Sequence, residues 1–534
     1  MSLQKPKQYP NRFIAYADSS FQFVKETFVG KSWPSVVNIG VGDREHQKTV
    51  RDVRVIYGFG AIGLNLIDSI THGLLSYISF TARYTFLTLL SNVKHGHLRV
   101  LSQEEVFEFG EKIVSHRESD GAGVNAQGDE VIQVTLKVID DKFWVRLLVL
   151  SDMGFSEAYM NEEVYVDNLV GLIRLFIQNR TALQEVNTPY SSVFNAIANL
   201  ANSPWVTNTL SNAMNNIQAH YDISNDMFAA FLDETMMYSC ACWSHVPYHK
   251  GEKRWDSSES LYDAQLRKIH KVIELARIRK GDHVLEIGSG WGGFAIEAVR
   301  TTGCRVTSLT LSAEQKALAD QRIAAAGLQD KIDILLCDYR SLPQEHQFDK
   351  VVSIEMIEAV GKEFMDTYFA SIDGFLKRHH GDGNVTDAAA VLQCITMPES
   401  RYEAYSRSLD FIRKYIFPGG HLPSLTHILT SANKASKGQL VPDSTANIGP
   451  HYVRTLRLWR EQFLLNFDSD IAPGLRQKYP AMTEHELNVF RRKWEYYFAY
   501  CEGGFRQNTV GVHWVVLKRE GSRGTWVEDE NIPL

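Results

Sequence analysis

Apolar positions follow a helical period near the start of the chain. Between Leu74 and Leu90 an apolar residue recurs at every fourth position, in a stretch that Arg83 and several hydroxyl residues interrupt. This spacing predicts an amphipathic helix whose apolar stripe packs on the protein core or lies on a membrane surface. We assign this helix to an amino-terminal segment, residues 1–95.

Strand-like patterns appear in the next part of the chain. The runs VIQVTLKVI and FWVRLLVL predict two β-strands, and VDNLVGLIRLFIQN predicts an amphipathic helix. Together these elements predict a small α+β domain at residues 96–180. Residues 181–219 are rich in Asn, Ser, Thr and Ala and contain two prolines, a composition that predicts a linker.

From residue 220 onward, strand and helix patterns alternate. Apolar runs such as HVLEIG, RVTSLTL and AAVLQCITM are separated by helical patterns such as AEQKALADQRIAAAG. Alternation of this kind predicts an α/β domain, residues 220–534, with a largely parallel sheet and helices on both faces. Ligands of such a sheet bind at the carboxyl ends of its strands.

Length and charge limit the possible organisation and partners. A chain of 534 residues exceeds what one hydrophobic core normally holds, so two or three domains are expected. The 56 basic and 63 acidic residues give a net charge of −7 without a long run of either sign. This balance argues against nucleic acid as a partner, and any lipid surface would be contacted locally.

The cysteines point to a reducing compartment. Six occur in a chain whose first residues, MSLQKPKQYPNRF, contain no apolar signal segment, so we expect a cytoplasmic protein without disulfides. Cys240 and Cys242 form a Cys-x-Cys pair. A closed zinc site needs four ligands, which this pair alone does not supply, so no metal is expected.

Two glycine-rich stretches are candidates for a nucleoside-binding loop. The first, VRVIYGFGAIGLNLI (53–67), matches the G-x-G-x-x-G pattern of dinucleotide-binding loops. No strand ending in an acidic residue follows it about 20 residues later, as ribose binding requires. We therefore disfavour a cofactor site at this first loop.

The second stretch, HVLEIGSGWGGFAIEAV (283–299), has the full context of a ligand loop. A strand ending in an acid leads into four glycines and then a helix. Glycines let a ligand approach the backbone, and the helix amino terminus offers free N–H groups to a carboxylate. The E-x-G-x-G form resembles the S-adenosylmethionine loop of class I methyltransferases.

Blocks on either side of this loop carry a more specific resemblance. They are HYDISNDMFAAFLDETMMYSCACW (220–243), LTLSAEQ (309–315), SIEMIEAVGKEFMDTYF (353–369), DFIRKYIFPGGHLPS (410–424), IGPHYVRTLRLWR (448–460) and WEYYFAYCEGGFR (494–506). Through them, residues 220–520 resemble the cyclopropane fatty acid synthase family, which includes the mycolic acid cyclopropane synthases, and most closely its plant-type branch. Residues 151–180 resemble, more loosely, the end of the family's smaller amino-terminal domain.

The resemblance implies a fold and a reaction. The fold is a class I, Rossmann-like methyltransferase domain preceded by a smaller α+β domain that handles lipid. The reaction transfers a methyl group from S-adenosylmethionine to a cis double bond of a lipid acyl chain. The expected partners are an unsaturated phospholipid or fatty acyl chain and, peripherally, a membrane surface. A homodimer is a further expectation.

The resemblance also implies the cofactor contacts. Gly288 and Gly290 belong to the loop after the acid Glu286, and Tyr238 and Ser239 are expected near the methionine portion. The residues expected at the ribose and the adenine are Thr310 and Gln315, and Asp338 and Tyr339, respectively. The strand TSLTLS ends without a carboxylate, so a hydroxyl and an amide would have to bind the ribose.

A second set of residues is implied around a bound bicarbonate ion. In the family, bicarbonate is thought to remove a proton from the methylated intermediate. The residues at the corresponding positions here are Cys240, Glu358, Gln393, Ile395 and Tyr452. Gln393 departs from the histidine of the bacterial enzymes, and an amide orients an anion without relaying a proton. This departure leaves open whether the ring closes or a methylene or methyl-branched chain results.

Other interpretations of these residues remain open from the sequence. Glu355 and Glu358 are three residues apart and could form a solvated pair on one helix face. Tyr452 could be a core tyrosine with a bonded hydroxyl. The alternatives to cyclopropane formation are methylation of another alkene and a lipid-binding protein that has kept the fold without catalysis.

Overall fold

Two larger sheets organise the part of the chain that the structure describes. The structure is a computed structural model, and it describes residues 78–103, 105–116, 123–125, 129–184, 224–247, 253–343, 347–378 and 387–522. One sheet has four strands and the other has seven. The first glycine-rich stretch, 53–67, lies outside the described residues, as does nearly all of the predicted linker.

The four-stranded sheet has the order β2-β1-β6-β7. Its strands are β1 (His97–Ser102), β2 (Glu105–Gly110), β6 (Gln133–Val138) and β7 (Val164–Val166), and the short strands β3 (Ser115–His116), β4 (Gly123–Val124) and β5 (Glu130–Val131) form a separate small sheet. The predicted strand VIQVTLKVI is confirmed as β6, whose residues alternate between exposed or half-buried and buried positions. Residues 78–90 precede this sheet as helix α1, and its Ile78, Ala82 and Leu90 are buried in an apolar cluster.

The second strand predicted in this region is wrong. FWVRLLVL lies in helix α2 (Lys142–Met160), and Phe143, Trp144, Val145 and Leu148 are buried along it. A short apolar run without alternation fits a buried helix as well as a buried strand, so periodicity alone does not separate the two. Two further helices, α3 (Leu169–Gln178) and α4 (Arg180–Gln184), follow β7.

The seven-stranded sheet confirms the predicted α/β architecture. Its order is β12-β11-β10-β13-β14-β16-β15, and the five strands from β12 to β14 are parallel. They are β10 (His283–Ile287), β11 (Arg305–Thr310), β12 (Ile332–Leu336), β13 (Lys350–Ile354) and β14 (Ala389–Thr396). The antiparallel strands β15 (Leu440–Asn447) and β16 (Gly511–Arg519) complete it, and β8 (His245–Pro247) pairs separately with β9 (Lys253–Trp255).

Helices cover both faces of this sheet. Neighbouring residues of one strand, such as Val284 and Leu285, belong to different apolar clusters. The helices in this part of the chain are α5 (Asn225–Phe231), α6 (Leu261–Ala276), α7 (Gly293–Thr302), α8 (Ala313–Ala325), α9 (Met365–Phe375), α10 (Glu399–Arg407), α11 (Phe411–Tyr415), α12 (Leu425–Ala435), α13 (Gly449–Leu465), α14 (Ala472–Lys478) and α15 (Glu484–Arg506). Burial of both strand faces is the rule for parallel sheets.

The long helix α15 packs against helices that belong to both parts of the described chain. It packs against α13 on one side and against α2 and α3 on the other. Arg492 of α15 donates hydrogen bonds to the carbonyl oxygens of Tyr159 (2.5 Å) and Val164 (3.0 Å). Among the described residues, no helix has the length and apolar character needed to cross a membrane.

A buried ionic cluster also connects α2 with the later helices. Arg146, whose side chain is 3% exposed, donates hydrogen bonds to Glu157 (3.1 Å) and Glu163 (2.6 Å). The other oxygen of Glu157 accepts from the Lys414 ammonium (3.0 Å) and the Tyr415 hydroxyl (2.5 Å). These bonds satisfy charges that would otherwise be buried without partners.

Replacing Arg146 by alanine is expected to lower the free energy of unfolding by about 3–5 kcal/mol, because Glu163 would lose its buried cation and Glu157 would keep only Lys414. Lys142, in the first turn of the same helix, forms an exposed ion pair with Asp140. Lys142→Ala removes this pair and is expected to change the free energy of unfolding by less than about 1 kcal/mol. Chemical denaturation of the two variants measures this difference. Equal effects would contradict the assignment of the buried cluster as a stabilising contact.

Candidate active site

The carboxyl ends of four parallel strands meet at one edge of the larger sheet. Residue pairing places the ends of β10 and β11, of β11 and β12, and of β10 and β13 side by side. Gly288 follows β10, Thr310 ends β11, Asp338 follows β12 and Glu355 follows β13. Gly288, Thr310 and Asp338, three of the residues predicted to bind the cofactor, therefore lie at the ends of neighbouring strands, where ligands of such a sheet bind.

The glycine-rich loop forms the turn between β10 and α7. The φ angles of Gly288, Gly290 and Gly292 are +99°, +49° and +80°, a region that favours glycine. The backbone N–H groups of Gly288 and Ser289 donate to the carbonyl of Leu309 at 3.0 and 2.8 Å. A methyl group built on Gly290 would meet no atom within 4 Å, so this part of the loop faces open space.

The acid of the loop motif points into the sheet. Glu286 is 3% exposed, and its carboxylate accepts a hydrogen bond from the Ser308 hydroxyl of β11 at 2.6 Å. Burial raises the pKa of Glu286 to about 8. The side chain thus joins two strands behind the loop, and its predicted contact with the cofactor remains a prediction.

The residues predicted for the ribose and adenine lie at the ends of the next two strands. The Thr310 hydroxyl donates to the side-chain oxygen of Gln315 at 2.9 Å, so these two polar groups are already adjacent. Asp338 accepts hydrogen bonds from the backbone N–H of Arg340 (2.8 Å) and from its guanidinium (2.6 Å), and the pKa of Asp338 is lowered by them. Tyr339 follows directly and begins a short 3₁₀ turn.

A buried lysine supports the wall formed by Ser239. The Lys268 ammonium of α6 donates to the Ser239 hydroxyl at 2.8 Å, and the Gln265 amide donates to the Ser239 carbonyl at 2.9 Å. Lys268 is 0% exposed, and burial lowers its pKa to about 8. Lys268 is not among the site residues predicted from the sequence. The available signal was its position with Gln265 and Ile269 on the buried face of α6.

Glu355 is the centre of the cluster in which the predicted catalytic residues meet. One carboxylate oxygen accepts from the backbone N–H of Cys240 (2.9 Å) and from the Gln393 amide (2.9 Å). The other oxygen accepts from the Tyr452 hydroxyl at 2.5 Å. From the sequence, Glu355 is expected only as a helical neighbour of Glu358. The two carboxylates do not form a solvated pair on a regular helix, because a 3₁₀ turn begins only at Ile357 and both side chains point inward.

The backbone of Glu355 adopts an unusual conformation. Its φ angle is +50°, in the left-handed region that residues with a Cβ rarely occupy. The Glu355 N–H donates to the carbonyl of Gln393 on β14 at 2.6 Å, and the three bonds to the carboxylate hold the side chain. A conformation of this kind costs on the order of 1–3 kcal/mol and persists only where the surrounding contacts hold it.

The second carboxylate, Glu358, bonds to the backbone of β14. Its Oε1 accepts from the Ile395 N–H at 2.5 Å, whereas its buried Oε2 has no hydrogen-bond partner among the described residues. Burial and the charge of Glu355 raise the pKa of Glu358 to about 8. Both effects favour the neutral form of Glu358, while the three donors around Glu355 favour the charged form of that residue.

The amide of Gln393 has a fixed orientation. Its oxygen accepts from the Trp514 indole N–H at 2.8 Å, and its nitrogen donates to Glu355 and to the carbonyl of Cys240 (3.2 Å). Because an indole N–H only donates, the Gln393 oxygen must face Trp514. Gln393 therefore positions the Glu355 carboxylate.

Cys240 contributes its backbone to the cluster, and its thiol faces elsewhere. The Sγ atom lies 3.4 Å from the Ala241 carbonyl oxygen and 3.8 Å from that of Ile448, and the residue is 0% exposed. Burial and the nearby Glu355 raise the pKa of the Cys240 thiol well above its usual value. A neutral, enclosed thiol of this kind is a poor nucleophile.

Cys240→Ala is therefore expected to keep turnover within about 10-fold of the wild type, because the backbone N–H that bonds to Glu355 remains. Methyl transfer from labelled S-adenosylmethionine measures turnover, and thermal unfolding checks the fold. An inactive Cys240→Ala enzyme of wild-type stability would show that the thiol itself takes part in the reaction.

A large apolar cavity opens beside the two glutamates. Its volume is about 1820 Å³, above the usual range of about 300–1000 Å³ for small-molecule sites. Polar residues of the site, Tyr238, Glu355, Glu358 and Tyr452, line one part of it. The apolar lining comes largely from the first sheet and its helices and includes Phe86, Leu98, Leu136, Trp144, Phe155, Leu172, Ile173 and Phe176.

Comparison with known proteins identifies relatives of this chain. The sequence model of the family described as mycolic acid cyclopropane synthetase matches residues 208–515. The tuberculostearic acid methyltransferase UfaA1 of Mycobacterium tuberculosis is 38% identical over 369 residues, which cover 69% of this chain and 79% of that protein. The cyclopropane-fatty-acyl-phospholipid synthase of Escherichia coli is 30% identical over 411 residues, 76% of this chain and 92% of that protein.

A solved structure of the mycolic acid cyclopropane synthase CmaA1, complexed with SAH and CTAB, is 27% identical, covers 57% of this chain and 98% of its own, and has a TM-score of 0.45. The family match covers more than half of the chain. The chain belongs to the mycolic acid cyclopropane synthetase family and is an S-adenosylmethionine-dependent methyltransferase with a class I, Rossmann-like fold.

Proposed function

We propose that the protein transfers the methyl group of S-adenosylmethionine to a cis double bond of an unsaturated lipid acyl chain and forms a cyclopropane fatty acid. The observation that carries this proposal is the apolar cavity whose lining includes Glu355 and Glu358. A methyl group built on Gly288 would lie 3.0 Å from the side chain of Met356, the residue after Glu355. The cofactor loop and the carboxylate cluster are thus adjacent.

The chemistry explains why the site is apolar with few charges. An alkene is a weak nucleophile with no acidic proton, so the enzyme must align the double bond with the sulfonium methyl and exclude water. Methyl transfer leaves a positive charge on the acyl chain. Aromatic faces stabilise such a charge, and Tyr452, stacked on Phe505 with ring centroids 4.7 Å apart, lines the cavity with Tyr238.

Ring closure requires the loss of a proton from the transferred methyl group. Its C–H bond breaks, and the electron pair forms the second carbon–carbon bond of the ring. The family resemblance assigns this proton to bicarbonate. The N–H, amide and hydroxyl donors of Cys240, Gln393 and Tyr452 are bonded to Glu355, so bicarbonate does not fit among them and no step proposed here uses it.

A second product is supported by the relative whose name is tuberculostearic acid methyltransferase. After methyl transfer, a hydride shift would move the charge to the carbon that bears the new methyl group. Loss of a proton from that methyl group would then give a methylene branch. Reduction of the methylene to a methyl branch needs an additional two-electron donor and is not part of this proposal.

The apolar lining of the cavity supports a lipid as the substrate class. We propose an unsaturated phospholipid, reached peripherally at a membrane surface, with the acyl chain held by residues 96–180. Leu98, Leu136 and Trp144 of that region line the cavity that also contains Glu355. A homodimer remains an expectation from the family resemblance.

Expression in a bacterial host with monounsaturated phospholipids tests this function. We expect new acyl chains heavier by one CH₂, about 14 mass units, as a methyl gain followed by proton loss requires. Gas chromatography with mass spectrometry separates a ring from a methylene branch. Unchanged lipids, combined with no binding of S-adenosylmethionine in calorimetry, would favour the non-catalytic alternative.

A further inference from the structure

We propose that Glu355 is the base that takes the proton from the methylated intermediate, in place of the bicarbonate ion that the family resemblance implies. This inference rests on the methyl transfer proposed above. The anion of the site is then a carboxylate of the protein chain and not a dissolved ion.

The donors around Glu355 are those assigned to bicarbonate. Cys240, Gln393 and Tyr452 were each implied to hold the ion, and each donates to the Glu355 carboxylate at 2.5–2.9 Å. A carboxylate and bicarbonate share the geometry of a planar anion with two acceptor oxygens. A second anion at the same donors would be repelled by the first and would lack its own hydrogen bonds.

The carboxylate retains a position for the incoming proton. It offers about four lone-pair sites, and the three hydrogen bonds use two on Oε1 and one on Oε2. One lone-pair position therefore remains free of these three hydrogen bonds, and Glu355 lines the apolar cavity. Burial raises the pKa of Glu355 and makes its carboxylate a stronger base, while the buried cation Lys268 favours the charged form.

The proton step balances with these groups. The C–H bond of the transferred methyl group breaks, and its electron pair closes the ring or forms the methylene double bond. The proton passes to Glu355, which becomes a neutral acid. The proton returns to solvent when the product leaves, and the carboxylate is regenerated for the next turnover.

The backbone conformation of Glu355 allows a variant without its side chain and without added backbone strain. Because φ at Glu355 is +50°, glycine fits this position without strain. Glu355→Gly keeps the turn and opens a space beside the three donors. Glu355→Gln keeps the shape and fills that space, but an amide does not accept the proton. Glu363→Gly, at an exposed position of the following 3₁₀ turn, is the matched control.

Binding of bicarbonate provides a readout that is independent of turnover. Isotopically labelled bicarbonate is titrated into the wild type, Glu355→Gly and Glu363→Gly, and its carbon NMR signal is followed. We expect no saturable binding to the wild type or the control, and saturable binding to Glu355→Gly that formate competes. Saturable, formate-sensitive binding to the wild type would overturn the inference.

Turnover in decarbonated buffer provides the second readout. We expect wild-type turnover to change less than about 2-fold when bicarbonate is removed, and both Glu355 variants to lose at least about 100-fold. Added bicarbonate or formate should increase the turnover of Glu355→Gly about 10-fold and leave the turnover of Glu355→Gln unchanged. Bicarbonate-dependent wild-type turnover, or a fully active Glu355→Gln, would contradict the inference. A wild type that forms no lipid product in any buffer would count against the proposed function, and the titration would still decide the role of Glu355.

Discussion

Gly290→Val is expected to abolish useful binding of S-adenosylmethionine, with an affinity at least about 100-fold below the wild type. A methyl group at Gly290 would project into open space beside the sheet edge, where a bound ligand would approach the loop backbone. Valine adds strain because φ is +49°, and it occupies the space that the ligand needs. A 100-fold loss corresponds to about 2.7 kcal/mol, within the range of a steric block at a ligand contact.

Gly327→Val is the matched control for this experiment. Gly327 has φ of +69°, meets no atom within 4 Å and lies after α8, outside the loop. The control reproduces the backbone strain without reaching the ligand space. Calorimetric titration of both variants should give wild-type affinity for Gly327→Val alone. Wild-type affinity in Gly290→Val would move the cofactor site away from this loop.

Tyr452→Phe is expected to lower turnover about 100-fold while leaving the affinity for S-adenosylmethionine within about 2-fold. The Tyr452 hydroxyl donates to Glu355 at 2.5 Å, and its loss leaves one carboxylate oxygen without its oriented donor. Because Glu355 must be aligned with the methyl proton that it accepts, a shift of its carboxylate by about 1 Å lowers turnover on the order of 100-fold. The change should appear in the rate of product formation and not in calorimetric binding.

Tyr368→Phe separates this effect from a general loss of stability. The Tyr368 hydroxyl donates to Ser353 at 2.8 Å and is fully buried, away from the cavity. Each variant loses one buried hydrogen bond, worth about 1 kcal/mol, so both should unfold at similar denaturant concentrations. Equal turnover in the two variants would remove Tyr452 from the reaction.

Much of the larger domain could be predicted because its elements are locally encoded. The apolar runs that became β10, β11 and β14 are bounded by helical patterns and by glycines, so their type and order follow from the sequence. FWVRLLVL carried no such boundary. Its burial within α2 depends on packing against later parts of the chain, and a local pattern does not contain that information.

Several residues of the site could be predicted from the sequence, but the way they are arranged could not. Cys240, Gln393 and Tyr452 do lie together, but around Glu355, which is 115 residues from Cys240 and 97 from Tyr452 in the chain. Contacts of this separation have no periodic signature. The left-handed backbone of Glu355 is likewise invisible in the sequence, because glutamate gives no indication of a positive φ.

Methyl transfer with a deuterated donor tests whether the lipid receives a methyl group that then loses one of its own protons. The purified protein is incubated with vesicles of a monounsaturated phospholipid and S-adenosylmethionine carrying a CD₃ group, and the acyl chains are analysed by mass spectrometry. Loss of one deuteron from the transferred methyl group predicts chains heavier by CD₂, about 16 mass units. A gain of about 17 mass units would place the lost proton on the acyl chain, and chains without any label would contradict methyl transfer to lipid altogether.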